Sequence, residues 1–438
     1  MMRRRAIALL VLALALSFGT AGAQTFNARR MAMGGVVLSG AGSTGANVAY
    51  RAAPAPVSSA RTLPLPLGLI PTLANPPELD PNNPNFNIYE IANLILTVPW
   101  NLQLVKPDAP SSDIVLSVAQ DSLAVDLGDA KKLFPDASSK LGAVVNGPSL
   151  GLGVRNLFFG LVPVVQYDND LSLNSALHDA LAKGAPFQAR TTYQMFDKVR
   201  AQAAAAGEIG LAMPVMVTGD PRTTGHGLYA GARVKVLRGI AYGDADNTVG
   251  FTTGDTLFAN PVNIQYNGHV RRAGPSNGGW GEGLDLGAVW VGNGLEVGVG
   301  VNDICSQINW KVRESLVTSD RVSGGYTETV LRDGASFTSH VPVVTTVNGA
   351  IQLGPVLVAG DVVSGVNNTQ PHVGAEIWTG KVAWRAGGTL DSQKDVQGGC
   401  GVGLRFGKLG VDLALSSHGR NITHDRALEM GAGLTFYR

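Results

Sequence analysis

Three stretches carry residue types at spacings that could do chemistry. Val36–Tyr50 reads VVLSGAGSTGANVAY, in which Gly40, Gly42 and Gly45 form a G-x-G-x-x-G array. That array lets a strand-to-helix turn cradle a dinucleotide, but it needs a helix after the glycines and an acid about 20 residues further on. Here Pro54 and Pro56 cut short any helix, and no Asp or Glu precedes Glu78. Gly147-Pro148-Ser149-Leu150-Gly151 matches the G-x-S-x-G nucleophile elbow, which must also lead into a helix. The following LGLGVRNLFFGLVPV reads as strand, so Ser149 is read as a turn residue. Asp244, Asp246 and Thr248 in DADNTVGFTTGD have calcium-loop spacing. Val249 stands where that loop needs Gly and Asp255 where it needs Glu, so a solvated loop between strands is expected. The seven His residues show no metal spacing. The reading is therefore no catalytic residue, no metal and no cofactor, and the protein is not expected to be an enzyme.

The elements that could position functional groups are strands. From about Glu208 to Arg438 the hydropathy alternates with period two. Leu228, Ala230, Ala232, Val234 and Val236 alternate with Tyr229, Gly231, Arg233 and Lys235; Leu284, Leu286, Ala288 and Trp290 alternate with Asp285, Gly287 and Val289. After the tight turn Gly292-Asn293-Gly294, Leu295, Val297, Val299 and Val301 alternate with Glu296, Gly298 and Gly300. The same holds for Val373 and Ile377 against Gly374 and Glu376, for Trp384 against Arg385, for Leu404 against Arg405, and for Val411 and Leu413 against Asp412. One face meets an apolar medium and the other a polar one. The polar face is mostly Gly, Ala and Ser with charges of both signs: Arg233, Lys235, Arg385 and Arg405 against Asp285, Glu296, Glu376 and Asp412. Such a face suits the interior of a transmembrane barrel, where opposite charges pair, better than a water-exposed sheet. Segments of roughly 8–12 residues have the length that crosses a bilayer when tilted. Trp280, Trp290, Trp310, Trp378 and Trp384 could help form interfacial girdles, with Trp378 on the inward phase.

Composition agrees. Charged residues are 15% of the chain and Gly is counted 56 times in 438 residues, so it is poor in charge and rich in Gly. A net charge of +1 excludes a nucleic-acid binder that relies on a basic excess. Arg3–Arg5, the apolar run Ala6–Leu16 and Ala21-Gly22-Ala23 make a secretory signal peptide over residues 1–23, with a mature chain from Gln24. Cys305 and Cys400 are the two cysteines, and whether they pair depends on a distance the sequence does not supply. The chain closes on a strand-like LEMGAGLTFYR, with Phe436 and Tyr437 before Arg438.

Between the N-terminal segment 24–76 and the strands of 208–438 lies a mixed region, 77–207. IYEIANLIL and SLAVDLGDAKKLF read as short helices. LNSALHDALAKG and TTYQMFDKVRAQAAAAG read as better ones, with Leu173, Leu177 and Leu181 at i, i+4, i+8, giving a helical insert over Leu173–Gly207.

ARRMAMGGVVLSGAGSTGANVAYRAAPA, GLYAGARVKVLRGIAYGDA, GWGEGLDLGAVWVGNGLEVGVGVNDI and HVGAEIWTGKVAWRAGG occur in this order along the chain. Together they resemble outer-membrane proteins of the long-chain fatty-acid transporter superfamily, nearest its TraF-like and PorV-like branches. The resemblance covers about Ala28–Pro54 and Gly227–Arg438 and departs at Ala52-Ala53-Pro54, where Asn-Pro-Ala is usual. It implies an all-β, transmembrane antiparallel β-barrel of about 14 strands in the bacterial outer membrane, with an N-terminal plug segment and a small helical insert. Met31, Gly34, Gly35, Gly40, Gly42, Gly45 and Tyr50 fall in the expected plug and gate. The expected partners are outer-membrane lipid, a hydrophobic small-molecule ligand and envelope proteins. Passive transport of hydrophobic small molecules is the first functional expectation. A non-transporting structural or docking barrel of a secretion, conjugation or cell-envelope assembly is the alternative.

Overall fold

The computed structural model describes residues 27–39, 43–54, 60–74, 101–105, 115–119, 122–126, 136–146, 150–154, 156–255, 265–319, 326–365, 368–390, 396–418 and 427–437. Among these residues the strands are β1 (Ala60–Leu65), β2 (Asn101–Val105), β3 (Val115–Ala119), β4 (Ser122–Asp126), β5 (Ser138–Asn146), β6 (Leu150–Val154) and β7 (Leu157–Leu173). They continue as β8 (Thr192–Thr218), β9 (His226–Thr252), β10 (Gln265–Ala273), β11 (Gly278–Gly292), β12 (Leu295–Ser319), β13 (Tyr326–His340) and β14 (Val344–Leu353). The last are β15 (Val356–Gly365), β16 (Asn368–Thr379), β17 (Val382–Leu390), β18 (Val396–Phe406), β19 (Leu409–His418) and β20 (Ala427–Tyr437).

Eighteen of these strands form one sheet, antiparallel at every pairing, and β3 and β4 form a separate hairpin. Four ranks of the sheet hold two strands apiece: β5 and β6 both pair with β7, β10 and β11 with β9, β13 and β14 with β12, and β1 and β2 with β20. The eighteen strands thus stand in fourteen ranks, from β5/β6 at one flank to β1/β2 at the other. The two flanks do not pair among the described residues, so the described sheet is not closed. Asn293 (φ 51°) and Gly294 (φ 79°) make the two-residue turn between β11 and β12, the left-handed pair that matches strand twist.

The faces are inverted relative to a water-soluble sheet. On β9, Val234 and Val236 are 54% and 51% exposed, whereas Lys235 is 0% and Arg233 4%. The apolar outward row of β9 runs from Leu228 to Val236, about 30 Å of strand at ~3.4 Å per residue. At the ~40° tilt usual in membrane barrels this is about 23 Å of height, close to the ~25 Å apolar band of such proteins. Beyond it the outward residues turn polar: Arg238 lies over the exposed Trp280 ring, and Gln307 donates to Glu282. The longest strands, β8 and β9 at 27 residues and β12 at 25, exceed the expected 8–12 because they continue past this band. Their extension packs its own core, with Leu237, Tyr242, Ile308, Trp310 and Val312.

Two helix expectations are corrected. Thr192–Gly207 lies in β8, so the helical insert shrinks to Ser175–Lys183, capped by Asn174 and ended by left-handed Gly184. The alanine run favours helix locally, yet Gln202, Ala204, Ala206 and Glu208 alternate into the buried face and pair with β7 and β9 on both sides. Ser122–Asp126 is strand β4. IYEIANLIL lies outside the described residues. Asp244–Thr248 is also strand, part of β9 paired with β8 and β10, rather than a loop. Asp244 is engaged there by Arg271 at 2.6 Å.

Candidate functional site: the ion-paired buried face

Residues 27–39 and 43–54 lie along the buried face of the sheet and cross its ranks in order. The short helix Ala28–Ala32, capped by the Asn27 side chain, sits on β18, β19 and β20, with Ala28, Met31 and Ala32 around Ala414. Gly34 (φ 71°) and Gly35 (φ 90°) turn the chain onward. Met33, Val36 and Leu38 pack on Ala350 of β14 and on Leu357 and Ala359 of β15. The Asn47 side-chain amide donates to the carbonyls of Ala288 (β11) and Val299 (β12). Val37, Ala49 and Tyr50 share a cluster with Tyr229 of β9 and with Val289 and Val291 of β11. At the far end, Arg51 lies over the Phe158 ring of β7 at 3.9 Å.

The wall is built to admit this segment. A Cβ at Gly374 would overlap the Met33 backbone, and one at Gly300 would overlap the Ala46 carbonyl. The glycines on the polar phase of the strands are therefore the places where two backbones meet without side chains between them.

Carboxylates on the same face hold the segment, and Arg and Lys side chains link them to one another. Glu376 accepts two hydrogen bonds from Arg29, both at 2.8 Å, one from Arg385 at 2.6 Å and one from the half-buried Trp378 indole at 3.0 Å. Arg385 continues to Asp412 at 2.6 Å, which also accepts from Thr435. Asp361 accepts from the Val37 backbone N–H at 2.5 Å and pairs with His372 Nδ1 at 2.6 Å. Glu296 accepts from the Ser39 N–H and hydroxyl and from Arg222 at 2.7 Å, while Arg222 also donates to the Pro54 carbonyl. A further cluster joins Arg233 to Glu208 at 3.0 Å and to Asp285, and Lys235 to Asp285 at 3.0 Å and Asp303 at 2.8 Å. Arg233 also donates to the Gly45 carbonyl. Asp303 is one of two residues at positive φ (60°) beside a register shift in β11–β12, which swings its carboxylate toward Lys235.

Buried charges of this kind persist only when paired and hydrogen-bonded on most sides. Burial and the adjacent Glu296 carboxylate push the Tyr50 hydroxyl well above the usual phenol range, so it stays neutral. Burial lowers the Arg30 guanidinium from its ordinary value while the Asp361 charge opposes the shift.

The structure thus brings together Arg233 with Lys235 and Asp285, Glu376 with Arg385 and Asp412, and Glu296 with the N-terminal segment. Arg405 stands apart: it is half-buried, over the Tyr437 ring at 4.2 Å. Met31 and Tyr50 are buried, Gly34 abuts Gly388, and Gly45 closes the 3-10 turn Ser43–Gly45. Gly40, Gly42 and Ser149 lie outside the described residues. Sequence reading missed Arg29, Ser39, Glu208, Arg222, Asp303, Asp361 and His372. Glu208 was findable, being in phase with Gln202 and Ala204, whereas Asp303 sits where a bulge breaks the period. Cys305 and Cys400 are free and exposed. No cluster of three or more metal-ligating side chains occurs among the described residues.

A family of unknown function, DUF5723, matches residues 131–332, somewhat less than half of the chain. No curated protein matches the sequence. Among solved structures, the chain is similar to a TodX deltaS2S3 mutant monoaromatic hydrocarbon channel, at 11% identity and TM-score 0.33, over 77% of this chain and 87% of that one. It is similar to the Ralstonia pickettii toluene transporter TbuX at 14% identity and TM-score 0.33, over 69% and 87% of the two chains. The P. putida toluene transporter TodX gives 11% identity and TM-score 0.25, over 70% and 89%. Superpositions this loose carry no functional weight, and the chain's own face pattern must do so.

Proposed function

We propose that the chain is an exported bacterial outer-membrane β-barrel, stoppered from within by its own N-terminal segment, a plug spanning Asn27–Pro54. The observation that carries this reading is the inversion of faces, with Val, Leu and Ile outward and paired Arg, Lys, Asp and Glu inward on the same strands. In water this arrangement would leave an apolar row of each strand against solvent, whereas in a bilayer that row faces hydrocarbon and the buried ions are held by their pairing. Expression followed by membrane fractionation tests it. The chain should partition with the outer membrane and migrate faster unheated than boiled on a denaturing gel, because every backbone group of a membrane barrel is paired and resists cold detergent. A detergent-free soluble chain without that shift would contradict it.

Two readings of what the barrel does remain separate. Passive transport of hydrophobic small molecules requires Met31–Tyr50 to give way along an apolar route. A static docking or structural barrel of an envelope assembly requires no route. The second is favoured by the ion pairs from Arg29 to Glu376 and from Arg222 to Glu296, which close the interior with charge rather than line a continuous apolar tunnel. Proteoliposomes separate the two: uptake of a hydrophobic solute that depends on the segment supports transport, and no uptake with or without the segment supports docking.

A further inference from the structure

On β12, Asn309, Lys311 and Arg313 are exposed while Trp310 and Val312 between them are buried, so alternation carries the outward face on past the apolar band. Strand pairing sets the heights of the cations on that face. Arg238 of β9 stands beside Trp280 of β11, just beyond Val236. Lys311 and Arg313 follow on β12, and Arg272 of β10 stands opposite Arg313 and beside Gly243 of β9. At ~3.4 Å per residue and a ~40° tilt, this stripe climbs from about 5 Å to about 18 Å beyond the apolar edge. Neutral groups hold its lower half: Arg238 lies over the Trp280 ring and donates to the Pro275 carbonyl, and Lys311 donates to the Ser336 hydroxyl. In its upper half Arg272 and Arg313 are a cross-strand pair of like charge, which by itself is destabilising. Glu328 meets Arg272 at 2.8 Å. An open hollow of about 460 Å³ lies beside the pair, lined by Arg272, Ala273, Gly274, Asn277, Arg313 and Asp333. Four cations thus face the carboxylates of Glu328 and Asp333, and the stripe keeps a positive excess.

Backbone hydrogen bonds fix which end of the sheet carries this stripe. Gln352 donates to Gly294, Trp378 to Pro355, Arg405 to Lys381 and Tyr437 to Lys408, so the tight turns and the chain's last strand share one end. Membrane barrels keep short turns on the periplasmic side, which puts the stripe on the outer side, where lipid head groups begin. A phospholipid head-group layer is only about 5–8 Å thick. Arg238 and Lys311 stand within reach of that layer, whereas Arg313, Arg272 and the hollow stand above it. An occupant that touches both must carry acidic groups at the membrane surface and polar groups well beyond it. We propose that Arg238, Lys311, Arg313 and Arg272 form a binding site for the phosphorylated sugar head group of an outer-leaflet glycolipid. Arg238 and Lys311 meet its membrane-proximal phosphate, Arg313 and Arg272 a second acidic group, and Asn277 and Asp333 offer hydrogen bonds to sugar hydroxyls in the hollow. The proposal rests on the reading of the chain as an outer-membrane barrel.

Equilibrium binding of tritiated short-core lipopolysaccharide in mixed detergent micelles tests the site. The full mature chain is used after its heat-dependent gel shift is confirmed, so a chain that fails as a barrel is recognised before this test. Binding should saturate, and Arg238→Gln with Arg313→Gln should weaken it about tenfold or more, because charge-assisted hydrogen bonds to phosphate are lost. Lys311→Gln with Arg313→Gln provides the same comparison where the first pair does not fold. Lys381→Gln with Lys408→Gln removes as much charge from exposed positions at the tight-turn end and should change binding by less than about twofold. The deacylated, phosphorylated saccharide should bind about tenfold more weakly than the whole lipid, and inorganic phosphate should not displace the lipid at equal concentration. No saturable binding, or equal losses in the two pairs of variants, would overturn the site. Deacylated saccharide or inorganic phosphate competing as well as the whole lipid would overturn the lipid as its occupant.

Discussion

Replacing Glu376 by Gln tests the ion-paired interior at its most connected point. The two Glu376 oxygens receive four donors: Arg29 twice, Arg385 and the Trp378 indole. Gln keeps the shape but presents one acceptor oxygen, turns an amide toward donors and removes the charge. Arg385 retains Asp412, whereas Arg29 loses its paired carboxylate. Breaking a buried pair from one side costs about 3–5 kcal/mol, since the abandoned charge remains in place. The urea midpoint of the heat-modifiable form should fall accordingly, and trypsin should gain access to the Arg29-Arg30 bond. Arg29→Met alone should cost less, because Glu376 keeps Arg385. The double variant should recover part of the loss, with a coupling of about 1–3 kcal/mol, as expected of residues in one network. A single variant with an unchanged midpoint, or singles that add without coupling, would refute the reasoning.

Gly374→Val should drive a side chain into the Met33 backbone and loosen the segment, costing about 1–3 kcal/mol by overpacking; protease release of an N-terminal fragment measures it. Ala232→Arg, at the middle of the exposed apolar row of β9, should cost about 2–4 kcal/mol in lipid and little in a soluble protein, which a urea titration in bilayers reads. Because both cysteines are free, the non-reducing gel should match the reducing one. Because the Tyr50 hydroxyl holds its proton more tightly when folded, stability should fall as pH rises above the ordinary tyrosine value near 10, by at most about 1.4 kcal/mol per unit from this group. Tyr50→Phe should flatten that part of the alkaline unfolding curve.

What the sequence makes legible is local. Val234 beside Lys235 and Val297 beside Glu296 announce their faces because a strand alternates every residue, whatever it pairs with. The turn at Asn293-Gly294 and the helix Ser175–Lys183 are likewise written in neighbouring residues. Thr192–Gly207 misleads because its alanines carry helix propensity and little polarity contrast, and neighbours 22 to 60 residues away in sequence decide its conformation. Arg29 meets Glu376 across 347 positions and Val37 meets Asp361 across 324. No spacing rule links such pairs; only the order in which the segment crosses the ranks does.

The central claim is that alternate residues of one strand face lipid and a paired interior. Spin labels placed singly at positions 232 to 236 of β9, in a chain with Cys305 and Cys400 replaced by Ser and reconstituted in bilayers, measure this most directly. Oxygen accessibility should peak at Ala232, Val234 and Val236 and fall at Arg233 and Lys235, with a water-soluble nickel reagent excluded from the outward positions. Uniform accessibility, or nickel collisions strongest at Val234 and Val236, would place that face in water and contradict the account.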